Sequence, residues 1–288
     1  MQKNPPVTKA VIPVGGLGIR FLPVTRTVPK PLLPILNVPV IEYAVREAAA
    51  AGITDIAIVM SHGMEPVADY FHRQPKLEAQ LKQRGEDGVL AAHIELASLA
   101  NVITIFQDEP KGPGHAILQA QEFCDGEPFV TIFPDDVIIN RPSATEQLIK
   151  VYKKHGGSVI GVNEAKKEVI PTKGIIGGKP VSDGVHIVET LVEKPAVEDA
   201  PSNLAIVARY ILDNRVFDHL TMEVPGANNE IQITDAIAAL IGISPVHAVT
   251  LIGFHADTGN PGGMLEAAIY LAKQDPTLSD VVNKALGK

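Results

Sequence analysis

Short runs of β-branched residues alternate with amphipathic helical runs along most of the chain. This alternation is typical of a sheet whose strands are connected by helices that cover its faces. We therefore predict an α/β fold with a Rossmann-like, mainly parallel mixed sheet flanked by helices. The predicted strands span residues 9–14, 55–60, 102–107, 129–133, 158–162 and 205–212.

Helical periodicity accounts for most of the segments between these strands. The predicted helices span residues 40–51, 69–83, 115–123, 144–155, 231–241 and 264–273. Gly52 follows the first of them and predicts a C-terminal cap. Residues 164–193 are richer in Gly, Val and Pro and have no clear helical period. For that segment we predict strands and loops that face a substrate.

The composition narrows the class of protein. The chain has 288 residues, of which 45% are hydrophobic, and a net charge of −8, so we expect a folded protein and not a disordered one. An acidic chain argues against nucleic acid as a partner, and no apolar stretch approaches the ~20 residues that span a bilayer. The single cysteine, Cys124, excludes an internal disulfide framework and a multi-cysteine zinc site. We therefore predict a cytoplasmic protein without nucleic-acid or membrane partners, and we assign Cys124 no chemistry.

Three familiar motifs are incomplete in this chain. Phe21 stands where a dinucleotide-binding fingerprint needs its third glycine. Residues 174–179 approach a P-loop, but Lys173 replaces its first glycine and Pro180 replaces the hydroxyl residue that would bind magnesium. None of the nine histidines pairs with another at the spacing of zinc ligands on a helix. A dehydrogenase, a P-loop NTPase and a zinc hydrolase are therefore poor interpretations.

A glycine-rich segment follows the first predicted strand. Gly15, Gly16 and Gly18 allow backbone N–H groups to approach a phosphate closely. Arg20 and Lys30 add positive charge shortly afterwards, in a chain that is otherwise acidic. For a bare G-x-G an ordinary glycine turn is the better explanation. The two cations and the stiff, proline-rich connection favour an anion-binding site.

This segment and several later ones resemble the sugar-1-phosphate nucleotidyltransferases, over about residues 8–275. The resemblance is carried by residues 15–34, by Gln107 and by segments 111–116 (KGPGHA), 133–137 (FPDDV), 192–195 (VEKP), 201–207 (PSNLAIV) and 230–236 (EIQITDA). Within that family the chain is similar to the bacterial UTP–glucose-1-phosphate uridylyltransferases, or UDP-glucose pyrophosphorylases. The polar helical segment 69–87 resembles an insertion of those enzymes that shorter thymidylyltransferases lack.

The resemblance implies a reaction and a set of site residues. An oxygen of glucose 1-phosphate would attack the α-phosphorus of UTP, giving UDP-glucose and pyrophosphate, with Mg²⁺ bound by Asp135 and Asp257. The implied catalytic cations are Arg20, Lys30 and Lys194. The implied nucleotide-binding residues are Gly15, Gly16, Gly18, Gln107 and Gly114, of which the last two would read the uracil. The implied sugar-phosphate site consists of Asp136, Gly174, Glu193 and Lys194.

The resemblance also implies an overall organisation. It is a single nucleotidyltransferase domain over residues 1–288, with a nucleotide-binding half (8–140), a sugar-phosphate-binding half (141–260) and a C-terminal helical segment (261–288). A homodimer or homotetramer is implied as well. His115, at the start of a predicted helix, is left open between a structural role and one that faces the nucleotide.

The chain departs from the family pattern at several positions near the implied site. Those positions are Ile19, Pro31, Leu32, Lys173, Asn229 and Pro261. They leave open an enzyme that uses dTTP in place of UTP. A non-catalytic homologue that binds nucleotide and regulates an active enzyme is a further alternative. The presence of every implied charged residue argues against that regulatory alternative.

Overall fold

The strands of the computed structural model, which describes residues 4–222 and 230–287, follow the predicted alternation closely. In chain order they are β1 (Lys9–Pro13), β2 (Pro34–Ile35), β3 (Val38–Pro39), β4 (Asp55–Met60), β5 (Asn101–Phe106), β6 (Phe129–Ile132), β7 (Asp136–Ile139), β8 (Ser158–Glu164), β9 (Gly174–Ser182), β10 (Val185–Glu193), β11 (Leu204–Leu212), β12 (Val246–Thr250) and β13 (Phe254–Asp257).

The helices lie between these strands, and two more follow the last of them. They are α1 (Val40–Ala50), α2 (Pro66–Asp69), α3 (Pro75–Arg84), α4 (Asp87–Leu96), α5 (Pro113–Leu118), α6 (Gln121–Cys124), α7 (Ala144–His155), α8 (Val216–Met222), α9 (Ile233–Leu240), α10 (Pro261–Gln274) and α11 (Ser279–Ala285). None of the helices described is both long enough and apolar enough to cross a membrane.

Nine strands form one sheet in the order β5-β4-β1-β6-β11-β8-β12-β10-β9. Strands β5, β4, β1 and β6 are parallel to one another, and so are β8 and β12. Strand β11 is antiparallel to both β6 and β8, and the β9–β10 hairpin adds antiparallel pairs at one edge. The predicted α/β fold with a mixed sheet is confirmed, and its parallel pairing is concentrated in the first half of the chain.

Helices cover both faces of this sheet because successive strand residues point to opposite sides. On β1, Ile12 belongs to one core with Ile41 of α1 and Leu148 of α7. The neighbouring Val11 belongs to a second core that includes Phe217 of α8. With both faces covered, the carboxyl ends of the parallel strands remain accessible, which is where open sheets of this type bind ligands.

A separate two-stranded sheet, β7–β13, was not predicted. Its antiparallel register places Asp136 opposite Asp257. Phe254 of β13 stacks on Tyr270 of α10 with ring centroids 3.7 Å apart. This contact packs the two-stranded sheet against α10. Both strands have only four residues, so their sequences carry too few alternations to predict a strand. The pairing joins two segments that are distant in the chain.

The predicted helix over residues 69–83 is wrong in its extent. Helix α2 ends at Asp69, and α3 begins only at Pro75, a residue that is favoured in the first turn of a helix. Gly85 ends α3 with a φ of 72°, a left-handed conformation that suits glycine. Helix α4 follows and was not predicted. The helix predicted over residues 115–123 is likewise two short helices, α5 and α6.

Cys124 lies in α6 and is fully buried. Burial raises the pKa of its thiol to about 12. Because the thiolate is the reactive form, we expect the native protein to show no measurable reaction with dithionitrobenzoate at pH about 8. In concentrated guanidinium chloride the same sample should release one equivalent of chromophore. Rapid labelling of the native protein would contradict the predicted inertness of this thiol.

Candidate active site

A cleft of about 1130 Å³ opens where β1, β4, β5 and β6 end. Pockets of ~300–1,000 Å³ enclose ordinary small-molecule ligands, so this cleft is large enough for a nucleoside triphosphate. Seven of the predicted site residues line it, namely Gly15, Gly16, Gly18, Arg20, Lys30, Gln107 and Asp135. The structure therefore brings together most of the residues predicted to hold the nucleotide.

The glycine-rich loop folds back on the segment that carries Lys30. Gly18 has a φ of 64°, and a Cβ there would lie 2.9 Å from Thr25 Cγ2 and 3.1 Å from Lys30 Cβ. The Thr25 hydroxyl donates a hydrogen bond to the Gly18 carbonyl over 2.9 Å. Gly18 is thus required for its conformation and for space. Gly16 is exposed and has nothing near its Cβ position, so its backbone faces the open cleft.

Two carboxylates and a lysine meet around Gly259. A Cβ on Gly259 would lie 2.7 Å from Asp257 Oδ1, 3.2 Å from Asp135 Oδ2 and 3.4 Å from Lys30 Nζ. The Lys30 ammonium is 2.7 Å from Asp135 Oδ2. Thr258 holds the Asp135 carbonyl with its N–H at 2.7 Å and its hydroxyl at 2.8 Å. We call this group, Asp135, Asp257 and Gly259, the carboxylate cradle.

The carboxylate cradle fits a divalent metal ion. A side chain at Gly259 would fill the space between the two carboxylates, and its absence leaves that space open. The cradle supplies two carboxylates, and nowhere in the part of the chain that the structure describes do three or more His, Cys, Asp or Glu come together to hold a metal. Mg²⁺ is usually bound by one or two carboxylates, with substrate phosphates and water completing its octahedron. Asp135 and Asp257 match that requirement.

A second cavity of about 200 Å³ adjoins the cleft, because Pro113 and Phe133 line both. All four residues predicted for the sugar-phosphate site line this cavity, namely Asp136, Gly174, Glu193 and Lys194. The consecutive residues Asp135 and Asp136 thus serve different cavities, the first lining the cleft and the second lining its smaller neighbour.

Lys194 is held at the end of the β9–β10 hairpin. Gly174 and Glu193 are opposite each other in this hairpin. Lys194 follows with a φ of 47°, uncommon for a residue with a side chain, and its N–H donates to the Lys173 carbonyl over 3.1 Å. Its ammonium lies 3.0 Å from Glu193 Oε1. Strained backbone of this kind is concentrated at functional sites, and here it directs a cation toward the second cavity.

Asp136 is buried and ionised. Burial by itself would raise its pKa, but His255 at 2.8 Å and the positive charge of Lys173 hold the pKa of this carboxyl well below its usual range. The Ala208 N–H also donates to its Oδ2 over 3.2 Å. These partners anchor β7 to β11 and β13. Sequence reasoning missed His255, whose place beside Asp136 depends on the β7–β13 pairing.

Arg209 is a second residue that sequence reasoning missed. It is 1% exposed on β11 and forms a fork with Glu47, Nε to Oε1 at 3.0 Å and Nη2 to Oε2 at 3.1 Å. It also donates to the Phe133 carbonyl over 2.9 Å and to the Asp136 carbonyl over 2.7 Å. Arg209 therefore clamps both ends of the short segment that carries Asp135. The sequence feature that could have indicated its role is a charged residue within the otherwise apolar run LAIVARYIL.

The other residues singled out in the sequence lie at varying distances from the two cavities. Gly114 is buried beside the cleft without lining it, and its N–H already donates to the Ile231 carbonyl over 2.8 Å. Among the departures from the family pattern, Ile19 and Pro31 line the cleft and Lys173 lines the second cavity. Leu32 packs beside a core, Pro261 begins α10, and Asn229 lies outside the described residues.

Known proteins are similar to this chain over nearly its whole length. The sequence model described as nucleotidyl transferase matches residues 9–274. A UTP–glucose-1-phosphate uridylyltransferase of Staphylococcus haemolyticus is 42% identical over 278 residues, which cover 96% of each chain. Another uridylyltransferase of this name, from Bacillus subtilis, is 40% identical over 94% of this chain and 92% of its own length.

Solved structures give the same result. A UDP-glucose pyrophosphorylase in complex with UDP-glucose has a TM-score of 0.85 and 36% identity, over 94% of this chain and 100% of that one. A UTP-bound UDP-glucose pyrophosphorylase from Acinetobacter baumannii has a TM-score of 0.88 and 30% identity, over 98% and 99%. Since the family model covers residues 9–274 and a relative 42% identical covers 96% of the chain, the chain belongs to the nucleotidyl transferase family.

Proposed function

We propose that this chain transfers the uridylyl group of UTP to glucose 1-phosphate, forming UDP-glucose and pyrophosphate. The observation that supports this most directly is the pair of adjoining cavities, one lined by a glycine-rich loop with Arg20 and Lys30 and one lined by Lys194. Two phosphorylated substrates can thereby meet beside the carboxylate cradle. Uracil and glucose are supported by two relatives, a UTP–glucose-1-phosphate uridylyltransferase and a UDP-glucose pyrophosphorylase in complex with UDP-glucose.

No general base is needed for this reaction. The nucleophile is an oxygen of the sugar phosphate, and a phosphate monoester is largely a dianion at pH 7 because its second pKa is about 6. It attacks the α-phosphorus of UTP, a P–O bond to the β-phosphate breaks, and the electron pair leaves with pyrophosphate. The main barrier is the repulsion between two polyanions together with the charge that grows on the leaving group.

Positive charges of this chain address both parts of that barrier. Lys194 lines the second cavity and would hold the sugar phosphate, whereas Arg20 and Lys30 line the cleft and would hold the triphosphate. At an effective dielectric constant of about 20, a cation ~4 Å from a phosphate oxygen contributes roughly 4 kcal/mol before desolvation. Positioning of the two substrates supplies the rest. Mg²⁺ held by Asp135 and Asp257 would neutralise charge on the phosphates as they react.

Pyrophosphate release tests the proposal. With Mg²⁺ and glucose 1-phosphate, we expect UTP to be used at least tenfold more efficiently in kcat/KM than CTP, GTP or ATP, roughly what one well-made base contact provides. Reactions without glucose 1-phosphate are the control for simple hydrolysis. A preference for dTTP would contradict uridylyl transfer, and binding of UTP without turnover of any pair would favour the regulatory alternative.

Three finer expectations stay predictions. They are the division of one domain near residues 140 and 260, the assembly into a homodimer or homotetramer, and the cytoplasmic location. The predicted small-molecule substrates are supported by the size of the cleft, about 1130 Å³.

A further inference from the structure

Gln107 follows β5 and presents its side-chain amide at the cleft while being only 3% exposed. Its Nε2 lies 3.3 Å from the Gly112 carbonyl oxygen and 2.8 Å from His115 Nδ1. A carbonyl oxygen only accepts hydrogen bonds, so the part of the amide that faces Gly112 is the NH₂ group. Both N–H bonds of this amide then have partners within the protein. The amide oxygen is the part left for a ligand.

That oxygen faces the glycine-rich loop. A Cβ on Gly15 would lie 3.2 Å from Gln107 Oε1, and within residues 4–222 and 230–287 no group donates a hydrogen bond to it. Uracil and thymine carry a donor at N3, whereas cytosine has an acceptor at N3 and carries its donor on the exocyclic N4. An acceptor that lies opposite N3 of the base therefore favours uracil and thymine over cytosine by one hydrogen bond.

The 2.8 Å contact requires a particular state of His115. Its Nδ1 must be unprotonated to accept from Gln107, and burial, followed by the charge of Lys111, lowers the pKa of this imidazole. The remaining proton is then on Nε2, which lies 3.2 Å from the side-chain amide of Gln119. A neutral imidazole has one donor and one acceptor, so Gln119 must turn its oxygen to the ring. That turn gives up the contact of 3.3 Å from Gln119 Nε2 to the His115 carbonyl, a loss that water can offset because Gln119 is only half-buried.

His115 does not line the cleft, so it acts on a ligand only through Gln107. The contact from Gln107 to Gly112 is at the long end of hydrogen-bond distances, and the shorter contact to His115 supplies most of the restraint on the amide. Without an acceptor at Nδ1, one buried N–H of Gln107 loses its partner. Rotation of the amide, which presents NH₂ to the base, then becomes competitive.

We propose that His115 is a positioning residue for base selection, whose Nδ1 fixes the Gln107 amide so that its oxygen accepts the N3–H of a uracil-type base and rejects cytosine. The inference rests on the proposed function, because it takes a pyrimidine nucleotide as the occupant of the cleft. It adds to that function a residue that sequence reasoning left undecided.

The test compares dissociation constants for UTP, dTTP and CTP in the presence of Mg²⁺, measured by calorimetry, with pyrophosphate release followed separately. His115→Phe keeps a planar ring but has no acceptor. We expect it to lower the preference for UTP over CTP by about tenfold, the value of one hydrogen bond of ~1.4 kcal/mol. The ratio of dTTP to UTP should not change, since both bases carry N3–H. His115→Asn places an amide oxygen near the position of Nδ1 and should restore most of the preference.

His72→Phe, at an exposed histidine, is the matched control for a histidine-to-phenylalanine change. The proposal is overturned if folded His115→Phe retains the original preference for UTP over CTP, or if His115→Asn loses it equally. It is also overturned if all three nucleotides weaken by the same factor, since that result describes a structural role. Wild-type protein that binds UTP selectively without releasing pyrophosphate would contradict the proposed function and leave this inference standing.

Discussion

Asp135→Asn is expected to lower kcat by about 10²–10³-fold, a loss typical when one electrostatic contact to the reacting charge is removed. An amide oxygen is a weaker ligand for Mg²⁺ than a carboxylate. The change also removes the partner of Lys30, whose ammonium lies 2.7 Å from Asp135 Oδ2. Initial rates measured across a Mg²⁺ titration should show a lower plateau and a higher half-saturating concentration. Asp183→Asn, at an exposed acid in the β9–β10 turn, is the matched control.

Gly259→Ala tests the same carboxylate cradle by filling its space, whereas Asp135→Asn removes one of its charges. The added methyl would lie 2.7 Å from Asp257 Oδ1 and 3.2 Å from Asp135 Oδ2, in the space proposed for the ion. The backbone of Gly259 is outside the left-handed region, so the methyl group is the source of any effect. We expect the dependence on Mg²⁺ to shift in the same direction as in Asp135→Asn. Unchanged Mg²⁺ dependence in both variants would show that the cradle does not hold the ion.

Arg209→Met is expected to lower the free energy of unfolding by about 3–5 kcal/mol, the usual cost of breaking a buried ion pair by removing one partner. Glu47 is 6% exposed and would be left as an unpaired buried carboxylate. The carbonyls of Phe133 and Asp136 would lose a donor as well. Urea unfolding should show a lower midpoint with little change in slope, since the exposed surface changes little.

The double variant Arg209→Met with Glu47→Leu separates the charge from the other contacts. Replacing both ions by apolar groups is often neutral, because neither charge is then desolvated. Here recovery should be partial. The N–H and hydroxyl of Thr145 donate to Glu47 Oε1 over 3.1 Å and 2.6 Å and would lose their acceptor. A double variant that is less stable than Arg209→Met would contradict the buried charge as the main cause.

Loss of Arg209 should also affect turnover, because it clamps the segment that carries Asp135. Arg209→Lys keeps the charge, but a single ammonium cannot form the fork to Glu47 and reach two carbonyls. We expect it to lower kcat more than it raises the KM for UTP, since Arg209 is buried and lines neither cavity. Equal stability and activity in the wild type and in Arg209→Lys would contradict the role of Arg209 in holding the segment of Asp135.

Most of the predicted site residues that line the cleft come from one part of the sequence. Gly15, Gly16 and Gly18, with Arg20 and Lys30, lie within one short stretch, so their spacing in the sequence constrains their spacing in space. The elements that depend on distant pairing were missed. Strands β7 and β13 have four residues each, and neither predicts the other, although their pairing places Asp257 beside the segment of Asp135.

Buried polar contacts were also beyond prediction from sequence. Arg209 and Glu47 are 162 residues apart in the sequence. Their ion pair forms because α1 and β11 pack in the same core region. The contact of His115 could not be predicted either, although its partner is only eight residues away in the sequence. Its place at a helix start was evident, but its contact with Gln107 depends on how the loop through Gly112 closes.

By itself the sequence determined the alternation of strands and helices, the glycine-rich loop and the charges available for chemistry, because periodicity and backbone freedom are local properties. The resemblance implied separate roles for Asp135 with Asp257 and for Asp136, but only the tertiary structure decided how they are arranged, with the first two meeting at Gly259 and Asp136 lining the second cavity. The tertiary structure also decided which side of the Gln107 amide reaches the cleft. Those outcomes depend on side chains brought together by sheet pairing and core packing, whose distances no spacing along the chain encodes.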